Sequence, residues 1–188
     1  MIVLPTERKK AENYNPSLMV LFGKPKSGKS TLMAALDSNL IIDLENGYRA
    51  LSVMDIQVRS AEELFQAKAL IEAKMKKEGA FPYRFITIDN ATRLEEMSLP
   101  YAAHLYRSTA MGQGWGKVKD PKTGKFEIDP KADVRLLPNG AGYLYLRQAI
   151  RKMIDMFKPL CETPILVAHV KDKQIKKDGE EMSEMSVD

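Results

Sequence analysis

Residues 23–31 read Gly-Lys-Pro-Lys-Ser-Gly-Lys-Ser-Thr and follow directly on the apolar run Leu18-Met19-Val20-Leu21-Phe22. A glycine, four free positions and then Gly-Lys-Ser/Thr is the pattern of a loop whose backbone N–H groups turn inward to cradle phosphate oxygens. Gly23, Gly28, Lys29 and Ser30 meet every fixed position, with Lys24, Pro25, Lys26 and Ser27 in the free ones and Thr31 next. Such a loop constrains its surroundings, because a buried strand must deliver the chain into it and a helix must carry it away. The run at 18–22 suits the strand, and residues 30–36 read as the start of the helix, whose N-terminus would add its positive dipole end. Lys29 is expected to reach the β- and γ-phosphates of a nucleoside triphosphate, and the Ser30 hydroxyl to hold Mg²⁺. An ordinary glycine-rich turn would need neither a lysine nor a hydroxyl at these two places.

At 188 residues the chain is expected to form one domain with a sizeable core. Its apolar runs fall well short of a membrane span and its start lacks a signal-peptide hydrophobic region, so no membrane partner is expected. The single cysteine, Cys161, excludes an internal disulfide, suits a reducing cytoplasm and reads as a small buried hydrophobe. The formal net charge of +4 is mild, but residues 107–135 carry seven Lys/Arg against four Asp/Glu.

Four apolar runs, at 18–22, 40–44, 84–88 and 164–168, alternate with helical patterns. That alternation predicts a parallel sheet covered by helices. Residues 61–78 place Leu64, Ala67, Leu70, Ile71 and Met75 at helical spacing, with Gly79 as the stop. Leu146, Ile150, Met153, Ile154 and Phe157 form a second stripe, ended by Pro159. The fold class expected is α/β: a three-layer α/β/α sandwich with a mostly parallel sheet around a phosphate-loop NTPase core. An N-terminal segment (1–16) precedes a domain at 17–170 that contains an irregular basic loop region at 108–142, and a charged tail (171–188) follows. A loop that long in a compact domain is usually functional or disordered.

Phosphoryl transfer needs a second metal contact, a group that orients the attacking water and a contact to the γ-phosphate. Residues 84–89, Arg-Phe-Ile-Thr-Ile-Asp, end a mostly apolar strand on Asp89, at the carboxyl end where open α/β sheets bind ligands. Asp89 is the expected second Mg²⁺ contact, and it also fits as N-cap of a helix from Ala91 onward. The next residue is Asn90 rather than a glutamate, so the catalytic base must come from elsewhere. The second strand ends Asp43-Leu44-Glu45-Asn46-Gly47, and Glu45 is the natural candidate.

In these features the sequence resembles the RecA-type recombinase ATPases, whose second strand ends in Asp-x-Glu and uses that glutamate to polarise the hydrolytic water. In that group the strand between the phosphate-loop and acidic strands ends in Gln or His bonded to the γ-phosphate, which the resemblance implies for His169. Lys171 and Lys173 resemble basic residues that some of these ATPases project into a neighbouring subunit's nucleotide. Closer still is the resemblance to small phage-encoded RecA-like ATPases of single-strand annealing and recombination. It is carried by 23–31, Asp43 to Gly47, Asp89 and Ala168-His169-Val170-Lys171, and more loosely by Gly140-Ala141-Gly142-Tyr143 leading into the last helix. Such cores normally continue with further strands, so a chain ending at Asp188 in a charged tail is compatible with truncation.

The resemblance implies a DNA-stimulated ATPase using ATP and Mg²⁺, acting on single-stranded DNA in the cytoplasm of an infected host. It also implies a homo-oligomeric ring or filament that works beside a single-strand-binding protein. DNA contact is expected from Trp115, Lys117 and Lys119, because lysines track phosphates while an aromatic ring stacks a base. The alternative at that place is a loop whose tryptophan folds back on the domain. Two other functions share the loop: a small-molecule or nucleoside kinase, and a nucleotide-dependent interaction module that does not hydrolyse. Kinases usually carry an arginine-rich lid, whereas residues 107–142 hold only two arginines.

Overall fold

The structure is a computed structural model that describes the backbone of residue 7 and of residues 14–129, 132–177 and 180–187, with side chains as far as residue 170. The strand before the phosphate loop is β1 (Met19–Gly23), followed by α1 (Lys29–Ala34), β2 (Asn39–Asp43), β3 (Met54–Gln57) and α2 (Ala61–Glu78). Next come β4 (Phe85–Asp89), α3 (Ala91–Arg107) and the short strands β5 (Lys117–Lys119) and β6 (Phe126–Ile128). The chain then continues through α4 (Ala141–Asp155), β7 (Thr163–Lys177) and β8 (Glu180–Val187).

Five strands pair in parallel in the order β1-β7-β4-β2-β3, and β8 pairs antiparallel with the outer half of β7. Side-chain alternation along the strands divides the core between the two faces of the sheet. Leu40, Ile42, Ile86 and Ile88 pack with Leu64 and Ile71 of α2, Leu94 and Met97 of α3 and Met153 of α4. Ile41, Ile165 and Val167 point the other way, onto Met33 of α1 and the buried ring of Tyr48. Helices therefore lie on both faces, in the α/β layering expected of a phosphate-loop core.

The sequence signals for α2 act as read. Ser60 caps it by accepting from the Glu63 N–H at 3.2 Å, and Gly79, at φ +69°, closes it by donating to the Met75 carbonyl at 2.9 Å. Three features differ from expectation. β3 is a fifth parallel strand with mostly exposed side chains, so it carries no apolar run to announce it. The basic region at 108–142 is partly ordered: β5 and β6 form a small antiparallel ribbon, and two 3₁₀ turns bury Val134 and Leu137 against Ala102, Ala103, Leu146 and Ala149. Lastly, the tail expected to be merely charged continues β7 and returns as β8, with Lys173 in register with Glu184 and Lys176 with Glu181.

Candidate functional site

The register of the sheet gathers the expected site residues at one end. Gly23 pairs with His169, Asp43 with Asp89, and Asp89 with Val167, so β1, β7, β4 and β2 finish side by side. β7 lies between the phosphate-loop strand and the strand ending in Asp89. A cavity of about 320 Å³ opens there. Lys26, Gly28, Lys29, Ser30 and Thr31 line it from the loop, and Glu45 and Tyr48 from the segment after β2. Asp89 and His169 line it from their strand ends.

Gly28 turns the loop at φ +86°, a conformation that favours glycine, and the Leu32 N–H returns to the Gly28 carbonyl at 2.9 Å to open α1. Lys29 is almost fully buried, and its ammonium donates to the carbonyls of Gly23 and Lys24, each at 2.8 Å. Those two bonds hold the charge inside the loop. Of the remaining free positions, Lys24, Pro25 and Ser27 belong to the turn but do not line the cavity.

Asp43 and Asp89 are neighbours in register but differ in environment. Asp43 is 2 % exposed and turned into its own chain. One of its oxygens accepts from the N–H groups of Glu45 at 3.0 Å and Asn46 at 2.6 Å, and the other from that of Tyr48 at 3.4 Å. This turn leaves the Glu45 side chain exposed at the cavity. Asp89 instead accepts the Tyr48 hydroxyl on Oδ2 at 2.6 Å. Burial holds its carboxyl above the usual carboxylate range, while the Tyr48 bond and nearby His169 pull the other way. Burial, together with the Asp89 hydrogen bond, raises the Tyr48 phenol far above its ordinary value, so it remains protonated and a donor at neutral pH. Asp89 is not the cap of α3: Asn90 fills that role, its Oδ1 accepting from the Arg93 N–H at 2.9 Å. The Asp89 carboxylate is thereby left to the cavity.

His169 lines the cavity with its Nδ1 buried and without a protein partner. The backbone of Lys171 and Lys173 lies in β7, and their side chains fall outside the described residues. Trp115 does fold back on the domain. Its ring meets that of Tyr106 edge-on at 5.4 Å, Tyr106 in turn touches Tyr145 at 5.2 Å, and all three pack on the core beneath α3 and α4. Lys117 and Lys119 stand exposed on β5.

Sequence reasoning missed Tyr48 and the turn role of Asp43. The signal available was Asn46-Gly47, a pair that marks a tight turn just after a strand. It would have located the turn but not the ring that follows it.

The donor set at the cavity fits Mg²⁺. The Ser30 hydroxyl and the Asp89 carboxylate are hard oxygen ligands beside the phosphate loop, and among the described residues no group of three or more His, Cys, Asp or Glu side chains could hold a metal alone. Mg²⁺ typically takes one or two carboxylates and fills the rest of its shell with waters and phosphate oxygens.

A parallel sheet with a phosphate loop at the carboxyl end of its first strand defines a nucleotide-binding domain of the P-loop ATPase class. A family model described as an AAA domain matches residues 15–187, nearly the whole length, and the chain belongs to that family. No curated protein matches the sequence. No helix among the described residues is long and apolar enough to cross a membrane.

Proposed function

We propose that the chain hydrolyses Mg·ATP at this cavity and works on single-stranded DNA as an oligomer, in phage recombination or strand annealing. The observation that carries the reading is the meeting of Lys29, Ser30, Glu45, Asp89 and His169 on one cavity, from four separate stretches of chain. Lys29 contacts the β- and γ-phosphate oxygens, for which its bonds to two loop carbonyls already position the ammonium. Glu45 takes a proton from water, whose oxygen bonds to the γ-phosphorus as the bond to the bridging oxygen breaks and ADP leaves. His169 hydrogen-bonds a γ-phosphate oxygen. Ser30 and Asp89 hold Mg²⁺, which when bound offsets the charge on the phosphate oxygens.

For DNA, the support lies in the β5–β6 ribbon. Trp115 is committed to the core, but Phe126 is 71 % exposed and sits in register opposite Lys119. A basic strand beside an open ring is the combination that stacks a base while following the phosphates. The test is ATP turnover measured alone, with single-stranded DNA, and with a panel of nucleoside acceptors. Phosphate release that rises with DNA, and loses that rise in Phe126→Ala, is the expected result. Transfer to an acceptor would make the protein a kinase, and binding without turnover would make it an interaction module.

A further inference from the structure

The geometry points to Tyr48 as the positioning residue of the metal site, acting through Asp89. This rests on the proposed Mg·nucleotide reading and deepens it. The Tyr48 hydroxyl donates to Asp89 Oδ2 at 2.6 Å, and both residues line the cavity with Ser30. A hydroxyl donating to an ionised carboxylate makes a shorter and stronger bond than one between neutral groups.

The consequence for that ligand is specific. Asp89 has Oδ2 occupied by a neutral donor, which fixes the carboxylate plane and leaves Oδ1 for the metal or a metal-bound water.

Tyr48 is built to hold still. It is 2 % exposed, and its ring packs with Met33, Ile41, Ile165 and Val167 between α1 and the sheet. Its N–H is tied to Asp43, and the Leu51 N–H returns to its carbonyl at 2.9 Å. A ring fixed in this way keeps its hydroxyl against the Asp89 carboxylate. The same turn carries Glu45, so Tyr48 also ties the segment bearing the base to the metal site.

Groups that orient metal ligands without touching the metal typically change metal affinity by about 10- to 100-fold when removed. The test is Tyr48→Phe, which keeps the ring and deletes only the hydroxyl. A fluorescent ATP analogue is titrated in EDTA and then at rising Mg²⁺, alongside thermal melts. The expected result is a half-saturating Mg²⁺ concentration about 10-fold higher than wild type, with metal-free nucleotide affinity within about twofold. In an Asp89→Asn background Tyr48→Phe should have a much smaller effect, because the hydroxyl acts mainly through that carboxylate. An unchanged Mg²⁺ requirement overturns the inference. So does a lowered one, which would mean that the hydroxyl competes with the cation, and so does an equal loss of metal-free and Mg²⁺-dependent binding, which would mark a purely structural ring. A wild-type chain that binds the analogue equally well with and without Mg²⁺ would instead remove the parent reading, and this inference with it.

Discussion

At the scale of residues, the domain assigns chemically similar groups to different tasks by what surrounds them. Asp43 and Asp89 stand in register and both line the cavity, but Asp43 accepts three backbone N–H groups and shapes the turn, whereas Asp89 accepts one hydroxyl. Asn90 caps α3 and so relieves Asp89 of that work. Cys161 shows the same logic in the core. It is 2 % exposed, its thiol donates to the Phe157 carbonyl, and burial pushes its pKa up to about 11. Because the thiolate is the reactive form, only about one molecule in a thousand carries it at about pH 8. The folded protein should therefore resist alkylation by iodoacetamide over hours and be labelled promptly once unfolded by urea. Mass spectrometry of the two samples checks this, and rapid labelling of the folded chain would contradict the burial described.

At the scale of elements, Gly142 is the tightest point between α4 and the segment that packs beneath it. A Cβ there would lie 1.7 Å from the Val134 carbonyl oxygen, which is backbone and cannot swing away. Gly142→Ala is predicted to destabilise the fold by about 1–3 kcal/mol, a drop of about 2–4 °C in Tm per kcal/mol for a chain of this size. Gly114→Ala, where nothing lies within 4 Å, is predicted to stay within about 0.5 kcal/mol. Thermal melts of the pair test whether the 108–142 region is truly packed. That packing was the least legible part of the sequence. α2 could be read to its last residue, because its cap, apolar spacing and closing glycine are all local signals. The strands at 18–22, 40–44, 84–88 and 164–168 could be read because central parallel strands are continuously apolar. Val134 and Leu137 are single apolar residues among polar ones, with no period, and their partners on α3 and α4 are tertiary. β3 stayed hidden because an edge strand with exposed side chains has no pattern to show.

At the scale of the whole molecule, the strand order creates the site. Placing β7 between β1 and β4 brings His169 beside the phosphate loop, and placing β4 beside β2 brings Asp89 level with the turn that carries Glu45. The loop, Asp89 and Glu45 were legible because strand ends and acidic punctuation are local. Tyr48 was not, since its role appears only when β2 and β4 lie side by side and α1 covers the ring. The central claim is that this assembly hydrolyses ATP with Glu45 as the base. Its most direct test is single-turnover ATP hydrolysis by wild type and Glu45→Gln, with nucleotide affinity measured on the same preparations. Unchanged affinity is expected, with a rate lower by about two to four orders of magnitude, the usual contribution of a positioned base. Equal rates in the two proteins, at equal affinity, would contradict it.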